Sequence, residues 1–381
     1  MASKVKPQPG LHNLQPYVPG TPIEDVQRQY GLVDVIKLAS NENPFGSSPK
    51  ALEAICQALP RLNQYPDSVC HSLRHALAGA LHIDPDQLVV GNGADGVITQ
   101  ICMAYLDESS EAIASDSSFP NHERYTHIMR ARLIKIPLED YRLDLEAMAD
   151  AITGRTKLAF ICNPNNPTGT IVTASEVEAF MQRVPDHVLV VFDEAYYELV
   201  ASDEYPDTLA YIRQGRENVI VLRTFSKVYG LAGIRLGYGI AMPGVLAPMN
   251  QVKESFAVNR LAQAAGIAAL QDQEFLQQTV QANHASRLWL YEQFDRLGLS
   301  YLESHTNFVL VHIGTHALEV QRELLKKGVI VRPCDSYDLG DCLRVTVGTP
   351  EQDARFIAVL EAALETTGAR APGSPGSVLG I

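Results

Sequence analysis

Short apolar runs recur along the chain, at residues 88–90, 112–114, 133–136, 158–162, 188–192, 219–222 and 234–240. In most of these runs the apolar positions are continuous rather than strictly alternating, which is the pattern of strands buried on both faces. Helical periodicity fills several of the intervals, notably 97–106 and 177–184. Strands alternating with helices predict an α/β fold, a large domain whose mostly parallel sheet is flanked by helices. Further runs at 308–312, 329–331 and 343–347, followed by the helical stretch 354–364, outline a smaller α+β domain. The first ~40 residues carry prolines and few periodic signals, so an extended arm is expected there. Residues 368–381, GARAPGSPGSVLGI, are dominated by Gly, Pro and Ser and predict a flexible tail. The expected division is an N-terminal arm with part of the small domain (1–40), the large domain (41–255), the small C-terminal domain (256–367) and the tail. No internal repeat interrupts it.

Composition narrows the function classes. Hydrophobic residues make up 46% of 381, enough to bury a sizeable core, and 20% charged residues argue against disorder. The 31 Lys+Arg against 44 Asp+Glu give a net charge of -13, a surface that repels nucleic acid and anionic membranes. A local arginine cluster can still hold a small anion. No apolar run approaches the roughly 18 residues of a spanning helix; the longest candidate, 261–270, is interrupted by Gln263. The start, MASKVKPQPG, has no signal-peptide stretch, and the six cysteines form no CxxC pair. Free thiols, no metal site and a cytoplasmic location are therefore expected.

In open α/β sheets, ligands bind beyond the carboxyl ends of the strands. Five chemically marked segments fall there. Asp193 follows the run 188–192 in VVFDEAYYEL, with Tyr196 three residues on. A carboxylate at a buried strand end needs a cation: either a structural ion pair or a protonated ring nitrogen. TFSKVYGLAGIRLGY (224–238) puts Lys227 just past the run 219–222, beside Thr224 and Ser226 and eight residues before Arg235. A strand-end lysine is ordinarily solvated. Here burial between apolar stretches would lower its pKa and favour a Schiff base with an aldehyde. Thr224, Ser226 and Arg235 could jointly hold a phosphate. GNGADG (91–96) follows the run 88–90 and opens a helix; it is either a plain turn or a phosphate site built from free N–H groups at Ala94 and Asp95. Its spacing is not the GxGxxG of dinucleotide folds. NPNNPTG (163–169) is a turn that would set Asn166 near a ligand oxygen. Phe119, after 112–114, is either core or a face for a flat ring.

In this order and combination the five segments resemble the fold-type I pyridoxal-phosphate aminotransferases over nearly the whole chain. The resemblance implies pyridoxal 5'-phosphate carried on Lys227. It implies that Asp193 pairs with the ring nitrogen, that Asn166 and Tyr196 hold the ring 3-oxygen, and that Phe119 stacks on the ring. The phosphate would fall to the backbone of Ala94 and Asp95 with Thr224, Ser226 and Arg235. Arg344, in CLRVTVGTPEQ, would clamp a substrate carboxylate. Further segments, LQPYVPG (14–20), LASNENPFG (38–46), NQYPD (63–67), GVIVRP (328–333) and LRVTVGT (343–349), are similar to the histidinol-phosphate aminotransferase family.

That likeness implies a homodimer in which Tyr65 reaches the partner's cofactor phosphate. Tyr17, Arg332 and Arg344 would meet the anionic end of the substrate, and Asn41 and Asn43 would line its pocket. Two departures stand out: Gly96, where the family often has an acidic residue, and Phe119, where tyrosine is common. The implied reaction moves an amino group between L-histidinol phosphate and 2-oxoglutarate in histidine biosynthesis, giving imidazole acetol phosphate and glutamate. An aromatic amino acid aminotransferase is the nearest alternative on this scaffold, and a threonine-phosphate decarboxylase a more distant one. The ligand-sensing domain of a transcription regulator fits poorly, because only ~40 residues precede the first motifs and the charge is acidic.

Overall fold

The structure, a computed structural model, describes residues 5–6, 8–11, 14 and 20–369. Among them the strands in chain order are β1 (Ile36–Leu38), β2 (Leu88–Asn92), β3 (Glu111–Ser115), β4 (Arg132–Ile136), β5 (Leu138–Glu139), β6 (Arg142–Leu143), β7 (Thr156–Cys162), β8 (Leu189–Asp193), β9 (Val219–Thr224), β10 (Leu236–Ala241), β11 (Phe308–His312), β12 (Val329–Pro333) and β13 (Cys342–Thr346). Seven make one sheet in the order β2-β10-β9-β8-β7-β3-β4. From β9 through β8, β7 and β3 to β4 every neighbour is parallel. β10 alone runs antiparallel, against both β9 and β2.

The sheet is covered on both faces, which explains the unbroken apolar runs. Val190 and Phe192 of β8 enter a core with Leu73, Val177 and Phe180. Leu189 and Val191 of the same strand enter a second core with Val97, Ile101 and Met249. The alternation inherent in a strand is present, but both sides of it meet apolar partners.

A second sheet has the order β1-β12-β13-β11. It packs against the helices Gln273–Leu297 and Pro350–Thr367 through Leu290, Phe294, Phe356 and Leu360. The latter helix starts at a reciprocal cap: Thr349 accepts from the Gln352 backbone, and the Gln352 side chain accepts from the Thr349 N–H.

The segment expected as an extended arm departs from that description. It holds the helix Ile23–Tyr30 and strand β1. Three residues are too few to show a period. β1 exists because Ile36, Lys37 and Leu38 pair in parallel with Val329, Ile330 and Val331. Most of the expected tail, 370–381, lies outside the described residues. No helix among the described residues is long and apolar enough to cross a membrane.

Candidate active site

The parallel strands deliver their carboxyl ends to one edge of the large sheet, and the marked segments follow there. β2 leads into the helix Gly93–Tyr105, β7 into the loop bearing Asn166, β8 into Tyr196, and β9 into Ser226 and Lys227. Because β10 runs the opposite way, its beginning lies at that same edge. This brings Arg235 back beside the segment that holds Lys227.

A cavity of about 610 Å³ opens there. It is lined by thirteen of the sixteen residues expected at the site: Asn41, Ala94, Asp95, Phe119, Asn166, Asp193, Tyr196, Thr224, Ser226, Lys227, Arg235, Arg332 and Arg344. Asn43 was expected to line the substrate pocket with Asn41. It is absent from this lining, because its amide donates to the Val228 carbonyl at 2.8 Å and accepts from the Phe45 N–H at 3.0 Å, bracing the loop. Tyr65 is 79% exposed and stacks on Phe256 at 4.5 Å, away from its own chain's cavity. Tyr17 lies outside the described residues.

Asp193 is buried at the cavity floor. Its Oδ2 is 3.1 Å from His122 Nε2, whose ring stacks on Phe160 at 4.6 Å and meets the edge of Phe119 at 5.5 Å. The carboxylate can only accept, so Nε2 carries the hydrogen in this pair. Asp193 Oδ1 is buried without a partner among the described residues. His122 was not anticipated. A histidine inside PNHERYTHI has no distinguishing spacing, and only its place one turn after Phe119 aims it at Asp193.

In the same lining the Lys227 Nζ lies 5.4 Å from the Tyr196 ring centre. Burial, and then the Arg344 guanidinium, push the Lys227 ammonium down to about 8. Burial pushes the Tyr196 phenol up, with the Arg344 charge opposing it, so the hydroxyl keeps its hydrogen at neutral pH.

At one wall stands the start of the helix Gly93–Tyr105, with its first N–H groups unused by the helix. Gly237 of β10 packs against it so closely that an added Cβ would sit 2.3 Å from the Ala94 nitrogen. Thr224 Oγ1 and Ser226 Oγ are 3.0 Å apart at the same end. Arg235 reaches in with its Nη2 3.3 Å from Asp95 Oδ2. Hydroxyls, a guanidinium and a helix N-terminus converge into a cup for an anion.

At the other wall the small sheet contributes two arginines. Arg332 of β12 and Arg344 of β13 are directly paired across the strands. Arg344 is buried, with Nη1 donating to Asn166 Oδ1 at 2.5 Å and Nη2 to the Ala39 carbonyl at 2.8 Å. Arg124 of the helix Pro120–Ile128 also lines the cavity, and no sequence signal marked it.

A model of the family described as aminotransferase class I and II matches residues 33–360. A histidinol-phosphate aminotransferase of Moorella thermoacetica is 47% identical over 94% of this chain and 93% of its own. Another, of Carboxydothermus hydrogenoformans, is 45% identical over 93% of this chain and 98% of its own. A crystal structure of histidinol-phosphate aminotransferase from Sinorhizobium meliloti, in complex with pyridoxal-5'-phosphate, superposes with a TM-score of 0.87 at 31% identity, covering 96% of this chain and 99% of that one.

Proposed function

The chain belongs to the class I and II aminotransferases and within them to the histidinol-phosphate aminotransferase family, and we propose that it exchanges an amino group between L-histidinol phosphate and 2-oxoglutarate. The observation that carries the substrate assignment is the cross-strand pair Arg332 and Arg344 on the wall of the cavity that holds Lys227 and Asp193. Like charges directly opposite on a sheet repel. An anion between them turns that repulsion into two charge-assisted contacts. A guanidinium fork suits a phosphate or a carboxylate equally. One pocket can thus receive histidinol phosphate, whose anionic end is a phosphate, and then the 2-oxo acid, whose end is a carboxylate.

The donor set fits pyridoxal 5'-phosphate. The unpartnered Asp193 Oδ1 is an acceptor waiting for a cationic N–H. The cup formed by the backbone of Ala94 and Asp95 with Thr224, Ser226 and Arg235 suits a phosphate, while Phe119 offers a ring face. Asn166 and Tyr196 supply hydrogens for a ring oxygen. When bound, the cofactor supplies an aldehyde for amine exchange and a ring that withdraws negative charge from the substrate's Cα.

The chain's own groups do the rest. Lys227, with its pKa lowered to about 8, presents an appreciable neutral fraction at neutral pH, so Nζ can hold the aldehyde. Free of the aldehyde, Nζ would be the base that takes the Cα proton and the acid that returns it at the former aldehyde carbon, across the intervening nitrogen. Asp193, oriented by His122, would keep a hydrogen on the ring nitrogen. Arg332 and Arg344 fix the anionic end so that the Cα–H bond faces Lys227. In the homodimer proposed here, which acts in the cytoplasm, Tyr65 completes the phosphate site of the partner subunit; its exposure supports that reading.

The test is a comparison of kcat/KM for histidinol phosphate, phenylalanine and threonine phosphate on the cofactor-loaded protein. Histidinol phosphate is expected to lead. Equal or better turnover of phenylalanine would move the chain to the aromatic aminotransferases, and carbon dioxide release from threonine phosphate would make it a decarboxylase.

A further inference from the structure

Asn41 sits where the chain leaves β1 of the small sheet, in a left-handed conformation with φ 55° that asparagine tolerates. Its side-chain nitrogen donates to the Tyr196 hydroxyl oxygen at 2.9 Å. The direction of that amide is set by Thr346 of β13. The Asn41 backbone N–H donates to Thr346 Oγ1 at 3.0 Å, and Thr346 Oγ1 donates to Asn41 Oδ1 at 3.1 Å. Thr346 has one hydroxyl hydrogen. Having accepted the N–H, it has that hydrogen left for an acceptor, which the amide oxygen is and the NH₂ is not. A flipped amide would leave the buried Thr346 hydrogen without the acceptor it has here, so the amide oxygen faces Thr346 and the NH₂ faces Tyr196. The Asn41 carbonyl is held in turn by Asn307 Nδ2 at 2.9 Å. Asn41, Tyr196, Asn307 and Thr346 are all buried.

A phenol has one hydrogen and two lone pairs. Since the Tyr196 oxygen accepts from Asn41, its hydrogen has to leave in another direction. No protein acceptor for that hydrogen is found among the described residues, and Tyr196 lines the cavity. We infer that Asn41, locked by Thr346, is a positioning residue that turns the Tyr196 hydroxyl hydrogen into the cavity, making Tyr196 a donor to the ligand oxygen it meets. This rests on the cavity being the pyridoxal-phosphate site, where that oxygen is the ring 3-oxygen. Asn41 thereby acts through Tyr196. It ties the polarity at the ring to the small sheet, since Thr346 lies two residues from Arg344 on the same strand.

A donor to the ring oxygen draws off negative charge, so the nearby nitrogen proton is held less tightly. Weakening the donor should raise the pH midpoint of the bound cofactor's visible absorbance. Asn41→Ala frees the hydroxyl to rotate and is expected to raise the midpoint by about 0.4 to 1 pH unit, the worth of one neutral hydrogen bond. Asn41→Asp replaces the donor by an acceptor, pulls the hydrogen out of the cavity and adds a negative charge, so it should raise the midpoint at least as far as Tyr196→Phe.

The deciding measurement is the spectral titration of the holoenzyme in a Tyr196→Phe background, with circular dichroism to check the fold. There Asn41→Ala should add nothing to the shift. Thr346→Ser should keep the parental midpoint and Thr346→Val should raise it, which also serves if the Asn41 variants do not fold. An Asn41→Ala shift of the same size with and without the Tyr196 hydroxyl would overturn the inference while leaving the cofactor assignment standing. Failure of the parent protein to take up pyridoxal phosphate would overturn both.

Discussion

The lowered basicity of Lys227 gives a quantitative test of the site in the absence of any cofactor. An ordinary lysine titrates near 10.4, so about 0.04% of it is neutral at pH 7. With Lys227 pushed down to about 8 by burial and by the Arg344 charge, about 9% is neutral, an advantage of roughly 200-fold. The sign follows from the ammonium being the disfavoured form: charging costs more in the fold than in the unfolded chain. The penalty is absent above about 10.5, grows as pH falls toward 8, and is constant below. The shape of the pH profile is diagnostic. Between pH 8 and 9 the neutral fraction of Lys227 rises from about 50% to about 91%, less than twofold, whereas an ordinary lysine gains almost tenfold. Brief reductive methylation of the cofactor-free protein with formaldehyde and cyanoborohydride reads this fraction, with peptide mass spectrometry isolating Lys227. Normalised to Nα-acetyllysine at each pH, the Lys227 rate should fall about fivefold from pH 8 to 9. Arg344→Met removes a nearby positive charge and should move the plateau to higher pH. A normalised rate that stays constant across this interval would refute the environment described for Lys227, whatever the enzyme's turnover.

Four further outcomes follow from particular contacts. Arg223 is buried against Glu194 at 2.8 Å with its guanidinium 3.5 Å over the Tyr197 ring; Arg223→Met strands that carboxylate and should cost about 3–5 kcal/mol in urea unfolding, most of it recovered by adding Glu194→Leu. A single-variant loss under about 1 kcal/mol would show that the pair does not carry this load. Gly230 has φ +67° and no room for a Cβ, which would sit 1.9 Å from the Gly46 carbonyl oxygen; Gly230→Ala should destabilise by more than about 1 kcal/mol, and a change within about 0.5 kcal/mol would contradict the close approach. A phosphate has three terminal oxygens to span both guanidiniums, whereas a carboxylate's two can be taken by the Arg344 fork alone, so Arg332→Ala should lower kcat/KM for histidinol phosphate by about 10- to 150-fold while affecting the glutamate half-reaction much less; equal single-turnover losses from both sides would show that Arg332 serves both anions alike. Mixing Tyr65→Phe and Lys227→Ala chains should give a hybrid more active than either parent, since one site then keeps both residues; no recovery in verified heterodimers would place Tyr65 outside the partner's site.

Much of the large sheet was legible in the chain. Strands buried on both faces write themselves as unbroken apolar runs, and the groups at their carboxyl ends, Asp193 and Lys227 above all, announce themselves as polar residues where an apolar run stops. The convergence of Thr224, Ser226 and Arg235 on the cavity was legible because they lie within one short segment. What the sequence could not disclose depends on partners far away along the chain. β1 is three residues long and becomes a strand only by pairing with Val329–Val331. Asn41 and Asn43 look alike in LASNENPFG. One meets Thr346 and Tyr196 and the other Val228, because the chain's turn after β1 points them to different walls. His122 carries no signature, since its role comes from the 3.1 Å that separates it from Asp193 on another element. Arg332 and Arg344 face each other only because β12 and β13 pair in that register. Periodicity and composition are local properties, determined residue by residue as the chain is written. The register between strands, the direction of an amide and the partner of a buried charge are decided when distant segments close on one another, where a shift of one residue would turn each side chain to the opposite face.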